Sequence, residues 1–165
     1  MDETTRVAAI LDIQALKARY FRFMDVRDWE GYATVFADDV EIDVSVSSVV
    51  LAPGSKEDPW QSPQRMKGGV FKGVKAFLEF IPQLLDGVRS VHHGHMPEID
   101  ILSPTTAKGV WAMEDLLDFP PGAEIEGRPM HHIHGHGHYW ETYEKADGAW
   151  KIKTMKITRL REIRS

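Results

Sequence analysis

Apolar residues recur with a helical period in the first part of the chain and with a period of two in the second. Residues 5–24 carry one apolar stripe, which predicts a first helix. Residues 29–37 predict a short second helix with Asp28 as its N-cap. Residues 74–85 predict a third helix, although Pro82 is expected to break it near its end.

Alternating apolar and polar positions predict the strands that follow. A first strand is expected at residues 40–46, and later strands are expected at residues 89–102, 106–119, 130–145 and 150–161. The Asp147-Gly148 pair is a strong signal for a hairpin between the last two strands.

The order of these elements predicts an α+β fold in a single domain spanning residues 1–165. Three helices followed by a long-stranded meander indicate helices gathered on one face of a curved antiparallel sheet. Residues 51–69 are rich in Pro, Gly, Ser and Lys, and we interpret residues 47–70 as a loop long enough to form a lid.

Composition and charge argue against several classes of partner and of active-site chemistry. A net charge of −5 argues against nucleic acid as the main partner. The chain has no cysteine, so thiolate metal sites and a cysteine nucleophile are excluded. No apolar run approaches the roughly 20 residues that a membrane span needs, and the start of the chain does not read as a signal peptide. The expectation is a soluble cytoplasmic protein.

Four stretches carry a family resemblance. They are LKARYFRFMDVRDWEGYATVFADDV, SVHHGHMPEIDI, AKGVWAMED and GHYWETYEKADGAWKI, in this order and at this spacing. Across residues 6–161 the chain resembles the SnoaL-like branch of the nuclear transport factor 2-like superfamily. Within that branch it looks most like bile-acid dehydratases, and more distantly like scytalone dehydratase and hexachlorocyclohexane dehydrochlorinase. The resemblance implies a cone-shaped α+β barrel in which three helices close a deep apolar pocket.

The resemblance also implies three catalytic residues, Tyr20, Asp25 and His92. An imidazole is a suitable base at neutral pH, and a carboxylate on its other nitrogen would fix the tautomer. A phenol can donate a hydrogen bond to an oxygen on which charge develops. Tyr20 and Asp25 are displaced by about 140° around a helix. They can therefore converge only if Asp25 lies at the fraying end. Taken singly, each residue could equally be a core or turn residue.

Further residues are expected to line the pocket because they share strand parity with family positions that face it. The substrate-binding candidates are Met113, Asp115, Leu117, Tyr139, Met155 and Ile157. Glu141 shares the parity of Tyr139. An exposed strand Asp remains an equally good interpretation of Asp115, and His95 is a secondary candidate at the pocket rim or in the core.

Histidines crowd a second stretch, MHHIHGHGHYW. His132, His134, His136 and His138 share one parity, so they project from one face of an unbroken strand. Two such histidines can bind zinc. However, no adjacent carboxylate is patterned for the site, and by resemblance the pocket face is the one that carries Tyr139. We therefore expect no metal, with these histidines on the outer face. The arginine-rich end, residues 158–165, is interpreted as a solvated edge or a subunit contact.

The leading hypothesis is a cofactor-independent lyase (dehydratase) or isomerase acting on a hydrophobic, ring-containing small molecule. In it, His92 removes a proton, Asp25 orients His92, and Tyr20 binds the substrate oxygen. The alternatives are a non-catalytic binding or assembly module of the same fold, a histidine-rich metalloprotein, and an epoxide hydrolase. For the last, no carboxylate–arginine arrangement is evident in the sequence. No nucleic acid or membrane partner is expected, and the resemblance implies a homodimer or homotrimer.

Overall fold

A computed structural model describes residues 1–45, 47, 58, 60, 69–125 and 127–165. Most of the predicted loop at residues 51–69 lies outside this set, and so does the end of the first predicted strand. The interpretation of that loop as a lid therefore stays a prediction.

Three helices precede or interrupt the early strands. They are α1 (Glu3–Asp25), α2 (Trp29–Ala33) and α3 (Val74–Leu84). Asp2 caps α1 by accepting the Thr5 backbone N–H at 2.8 Å, and Asp28 caps α2 as predicted, accepting from the Gly31 N–H at 2.9 Å.

Two details of the helices differ from the prediction. α2 ends at Ala33 rather than at residue 37, because the chain turns there and the following residues enter a strand. The Thr34 hydroxyl donates to the Gly31 carbonyl at 2.6 Å within that turn. Pro82 lies inside α3, which continues for two residues beyond it.

The described residues form eight strands, six of which make one curved sheet. In chain order the eight strands are β1 (Phe36–Asp43), β2 (Val70–Lys72), β3 (Arg89–Ile101), β4 (Thr106–Asp118), β5 (Glu124–Ile125), β6 (Arg128–Pro129), β7 (His132–Ala146) and β8 (Ala149–Arg164). The sheet has the order β2-β1-β8-β7-β4-β3, and β5 with β6 forms a separate two-stranded ribbon. The predicted long strands are confirmed, while β2 and the ribbon are additional.

The sheet is mixed rather than wholly antiparallel. β1 pairs in parallel with β8, while every other pair in the sheet is antiparallel. β1 enters the sheet from α2 and not from a hairpin, so its direction is set by the helices before it. The α+β class and the three helices are otherwise as predicted.

Alternate residues of β7 point to opposite faces of the sheet. From Ile133 to Tyr143 the odd-numbered residues are buried, whereas the even-numbered ones are only partly covered. The turn into β8 has φ of 50° at Asp147 and 80° at Gly148, the left-handed conformation that a tight two-residue hairpin requires. The predicted hairpin and the predicted inward direction of Tyr139 are both confirmed.

The core lies between α1, α3 and the inner face of the sheet. Aromatic rings dominate its centre, where Tyr20, Tyr32, Phe36 and Phe77 pack edge to face or tilted with centroids 5.1 to 6.3 Å apart. Among the described residues, no helix has the length and apolar character needed to cross a membrane.

Candidate active site

A mostly apolar cavity of about 340 Å³ opens between the helices and the inner face of the sheet. Seven of the residues predicted for the site line it, namely Tyr20, His92, Asp115, Leu117, Tyr139, Met155 and Ile157. Helix α3 adds an apolar wall that the sequence did not single out, formed by Phe77, Phe80, Ile81 and Leu84. A cavity of this size, largely apolar with a few convergent polar groups, suits a small hydrophobic molecule.

Asp25 and His92 form the hydrogen-bonded pair that the resemblance implies. The distance between His92 Nδ1 and Asp25 Oδ1 is 2.6 Å. The His92 backbone N–H donates to Asp25 Oδ2 at 2.9 Å, and the Ser90 hydroxyl donates to Asp25 Oδ1 at 2.9 Å. Both carboxylate oxygens are thus occupied by donors from β3, which orients the carboxylate toward the imidazole.

The end of α1 explains how Asp25 reaches this position. The Asp28 N–H bonds to the Phe23 carbonyl at 2.9 Å and the Arg27 N–H bonds to the Met24 carbonyl at 3.2 Å. With Arg27 at φ 62°, this is a Schellman-type helix end. The Arg27 guanidinium then donates to the Ser90 hydroxyl oxygen at 2.8 Å and to the Val88 carbonyl. The helix end is therefore tied to β3 beside the pair.

The surroundings of Asp25 favour its ionised form. Burial acts to raise the pKa of this carboxyl, but hydrogen bonds and charge from His92, together with the bond from Ser90, outweigh burial and hold the pKa below its usual value. An ionised Asp25 accepts a hydrogen bond from Nδ1–H of His92. His92 Nε2 is then the nitrogen that remains available to the cavity.

Tyr20 lines the cavity and packs against other tyrosines. Its ring centroid is 5.2 Å from that of Tyr32 and 5.7 Å from that of Tyr139. Burial raises the pKa of the Tyr20 hydroxyl well above its usual value, and the neighbouring Tyr32 adds to the rise. Tyr20 is consequently a neutral phenol that can donate a hydrogen bond at neutral pH.

A buried carboxylate–arginine pair is the largest feature that the sequence did not reveal. Arg159 Nη2 donates to Asp115 Oδ2 at 2.6 Å, and both side chains are almost fully buried. Arg159 Nε donates to the Ser47 carbonyl at 2.6 Å and lies 3.7 Å from Glu162 Oε2. Because Arg159 lines the cavity, the interpretation of residues 158–165 as a solvated edge is wrong for this residue.

Strand geometry brings Arg159 to the inner face. Met155, Ile157 and Arg159 share one parity on β8, so the sequence signal was present. The pairing with β7 shifts next to Arg159, since Gly137 opposes Arg159 while His136 opposes Arg161. This bulge lets the strand resume its inward direction at Glu162. Parity beyond residue 160 is thereby reversed, which simple alternation does not predict.

Gly135 makes room for the Asp115–Arg159 pair. It lies opposite Asp115 in the β4–β7 pairing. A Cβ added at Gly135 would lie 2.3 Å from Asp115 Oδ1 and 2.4 Å from Arg159 Nη1. A glycine is therefore required at position 135, because the Asp115–Arg159 pair occupies the space that a larger side chain would need.

A second buried ion pair lies behind the tyrosines. Lys17 Nζ is 2.5 Å from Glu141 Oε1, and neither side chain is exposed. The ammonium lies 3.5 Å from the ring centroid of Tyr139 and 3.9 Å from that of Tyr20. Burial lowers the pKa of Lys17 to about 8, against the opposing charge and hydrogen bond of Glu141. The Tyr143 hydroxyl donates to the other Glu141 oxygen at 2.5 Å.

Two predicted site residues lie elsewhere. Met113 is buried, and its sulfur accepts from Arg159 Nη1 at 3.5 Å, so it supports the cavity wall from behind. His95 is more than half exposed, with Nε2 3.9 Å from Glu114 Oε2. It therefore belongs to the outer face of the sheet and not to the pocket rim, because it shares the strand parity of His93 and not that of His92.

On that outer face, Glu114, His134 and His136 place one potential ligand atom each within 4.8 Å of one another. The sequence-based statement that no carboxylate is positioned beside the histidine run is therefore wrong. Glu114 comes from the neighbouring strand, β4, and is brought to the run by the register.

The fold and the cavity define a class of protein: an α+β cone with an Asp–His pair and an arginine–carboxylate pair on the walls of one apolar pocket. Residues 5–156 match the model of the SnoaL-like domain family, and the chain belongs to that family.

Similar proteins agree with this assignment. The chain is 24% identical to the probable cyclase FGR4 of Gibberella zeae over 149 residues, covering 90% of this chain and 89% of that protein. The structure of the hexachlorocyclohexane dehydrochlorinase LinA-type3 from Novosphingobium barchaimii superposes with a TM-score of 0.73 at 19% identity, covering 99% of this chain and 94% of the other. A protein from Novosphingobium aromaticivorans assigned as a scytalone dehydratase superposes with a TM-score of 0.74 at 20% identity, covering 99% and 92%.

These structural likenesses show the fold. They confirm the predicted SnoaL-like architecture and the predicted resemblance to dehydrochlorinase and scytalone dehydratase structures. The finer resemblance to bile-acid dehydratases stays a prediction.

Proposed function

We propose that this chain is a cofactor-independent lyase or isomerase that removes a proton from a hydrophobic, ring-containing small molecule, with His92 as the base. The observation that carries the proposal is the 2.6 Å contact between His92 Nδ1 and Asp25 Oδ1 at the wall of the cavity. Elimination is also the reaction named for the dehydrochlorinase and dehydratase relatives.

Each step has a group to perform it. His92 Nε2 takes a proton from a carbon next to a carbonyl or a leaving group, and the ionised Asp25 stabilises the imidazolium that forms. Tyr20 donates a hydrogen bond to the substrate oxygen that gains charge. In an elimination, the electron pair of the broken C–H bond forms the double bond, and the leaving group departs with its own pair. In an isomerisation, His92 returns the proton to another carbon.

Proton removal itself can be measured without knowing the later step. The purified protein is incubated in D2O with a panel of cyclic ketones and β-hydroxy ketones, and deuterium uptake and product formation are followed by NMR. With an active compound in hand, His92→Gln and Asp25→Asn are each expected to slow exchange about 10²- to 10⁴-fold.

His132→Gln is the matched control. His132 is a partly exposed histidine bonded to Asp118 at 2.8 Å on the other side of the sheet, and exchange should be unchanged in this variant. Exchange that survives both His92→Gln and Asp25→Asn would refute the proposed base. Binding of a compound without exchange in the unaltered protein would support the non-catalytic alternative.

One observation favours a second candidate, the hydrolysis of an epoxide by a water-activating carboxylate. Asp115 Oδ1 is buried and has no hydrogen-bond partner within the described part of the chain, while Oδ2 is held by Arg159. The free oxygen can accept a hydrogen bond from a water or from a substrate hydroxyl. In a hydrolase, Asp115→Asn should abolish conversion of a cyclic epoxide while His92→Gln leaves it intact. If instead His92→Gln abolishes conversion and Asp115→Asn leaves it intact, the lyase or isomerase is supported.

A further inference from the structure

Four histidines surround one glutamate on the outer face of the sheet, opposite the cavity. We call this group the outer-face cluster; it consists of His93, His95, Glu114, His134 and His136. His93 pairs directly with Glu114 across β3 and β4, and Glu114 pairs directly with His136 across β4 and β7. Directly paired residues project from the same side of a sheet, so the three side chains form a row.

The distances converge on the Glu114 carboxylate. Oε1 of Glu114 lies 2.6 Å from His134 Nε2 and 3.7 Å from His136 Nε2. Its Oε2 lies 3.8 Å from His93 Nδ1 and 3.9 Å from His95 Nε2. Zinc bonds of about 2.0–2.2 Å put tetrahedral ligand atoms roughly 3.4 Å apart. The observed separations from Glu114 lie on both sides of that value, so small side-chain rotations suffice.

The cluster brings several imidazole rings to one carboxylate. The rings of His134 and His136 have centroids only 4.5 Å apart. One carboxylate therefore lies among four imidazole rings, and imidazole nitrogens and carboxylate oxygens are both ligands of zinc-class ions.

We propose that the outer-face cluster binds one divalent transition-metal ion of the zinc class, with Glu114, His134 and His136 as ligands and one of the two β3 histidines as the fourth. The ion would join three neighbouring strands on the face remote from the cavity. This site is independent of the proposed reaction, which uses His92 on the inner face of β3 and Tyr20 and Asp25 of α1.

The surroundings predict moderate affinity. His136 Nδ1 is buried without a hydrogen-bond partner among the described residues. Dedicated zinc sites usually hold that second ring nitrogen with a carboxylate or carbonyl, and loss of such support costs about 10- to 100-fold in affinity. Structural zinc sites at the weak end bind with about 10 kcal/mol, and a loss of about 10- to 100-fold from that affinity gives an expected dissociation constant on the order of micromolar.

The test uses the full chain without a histidine tag, purified without a metal column, treated with a chelator and dialysed. Isothermal titration with ZnCl2 should give one ion per chain, and Co²⁺ should give the visible absorption of a four-coordinate site. Glu114→Gln should weaken zinc binding at least about tenfold, and the double variant His134→Ala/His136→Ala at least about a hundredfold.

His138→Gln is the matched control, because His138 lies on the same face of β7 outside the cluster and packs on Trp140, with ring centroids 5.8 Å apart. Its zinc affinity should equal that of the unaltered protein. Cooperative thermal unfolding of each metal-free variant shows that it is folded. The proposal is overturned if the folded protein takes up no zinc at a free zinc concentration about 100-fold above the expected dissociation constant. It is also overturned if the double variant binds as well as the unaltered protein, or if His138→Gln weakens binding equally.

Discussion

The space above Gly135 offers a direct test of how the cavity wall is built. Gly135→Ala would place a methyl group 2.3 Å from Asp115 Oδ1 and 2.4 Å from Arg159 Nη1. Ordinary contacts begin near 3.4 Å. The two charged groups must therefore each move away from the methyl group by roughly 1 Å, or separate from one another.

The magnitude follows from the burial of the pair. Overpacking a well-filled interior costs about 1–3 kcal/mol, and separating a buried ion pair without new partners approaches about 3–5 kcal/mol. Because the Asp115 and Arg159 side chains are only 4% and 8% exposed, water cannot readily replace the lost contact. We expect Gly135→Ala to lower the free energy of unfolding by about 2–4 kcal/mol.

Gly109→Ala is the matched control in the same sheet. Its added Cβ would lie 3.2 Å from the nearest heavy atom, the Glu98 carbonyl oxygen. Small shifts relieve that contact, and the lower entropy of the unfolded chain offsets part of the cost, so the change should be under about 1 kcal/mol.

Urea denaturation of the two single variants provides the measurement. Adding Asp115→Ala to Gly135→Ala should reduce the cost of the glycine change by at least about 1 kcal/mol, because the methyl group then has space. If Gly135→Ala is no more destabilising than Gly109→Ala, the proposed packing of the wall is wrong.

The Lys17–Glu141 pair gives a second prediction. Lys17→Met should destabilise the fold by about 3–5 kcal/mol, because it leaves a buried carboxylate unpaired. In urea denaturation, the double variant Lys17→Met/Glu141→Gln should recover at least about 1 kcal/mol of that loss. If the stability changes of Lys17→Met and Glu141→Gln simply add in the double variant, the proposed pairing is contradicted. The same pair predicts a rise in stability between pH 8 and 10, since the folded pKa of Lys17 is about 8 and the unfolded chain binds more protons in this interval. Above pH 10 stability should fall again, because the unfolded chain releases tyrosine protons that the fold retains; the raised pKa values belong to Tyr20, Tyr32, Tyr139 and Tyr143. Thermal unfolding across pH 7–11.5 measures both changes, and a monotonic fall from pH 8 in the unaltered protein would contradict the role of Lys17.

Much of this protein was predictable because helix and strand periods are local properties. The stripe along residues 5–24 predicted α1 to within two residues at its start and one at its end. Strict alternation through the histidine run put Tyr139 and the even-numbered residues His132 to His138 on opposite faces, and the family resemblance correctly indicated that Tyr139 lies inside. Asp147-Gly148 predicted the tight turn because few residue pairs accept two positive φ values in succession.

The Asp25–His92 contact was expected from the family resemblance and not from spacing. What the structure adds is the mechanism of placement. The helix end at Arg27 turns the chain, and Ser90 and the His92 N–H hold the carboxylate. These partners are separated by more than 60 residues in the chain, so no local pattern links them.

Register and bulges decided the rest. Arg159 faces the cavity because it shares the parity of Met155 and Ile157, whereas the bulge in β8 that follows it turns Glu162 inward. Glu114 reaches His134 and His136 because β4 pairs with β7 in one particular register, and a shift of one residue would move Glu114 to the other face of the sheet. Lys17 meets Glu141 across 124 residues of chain. Periodicity determines which face of an element a side chain occupies. Only the assembled sheet determines which side chains of different strands and helices come together.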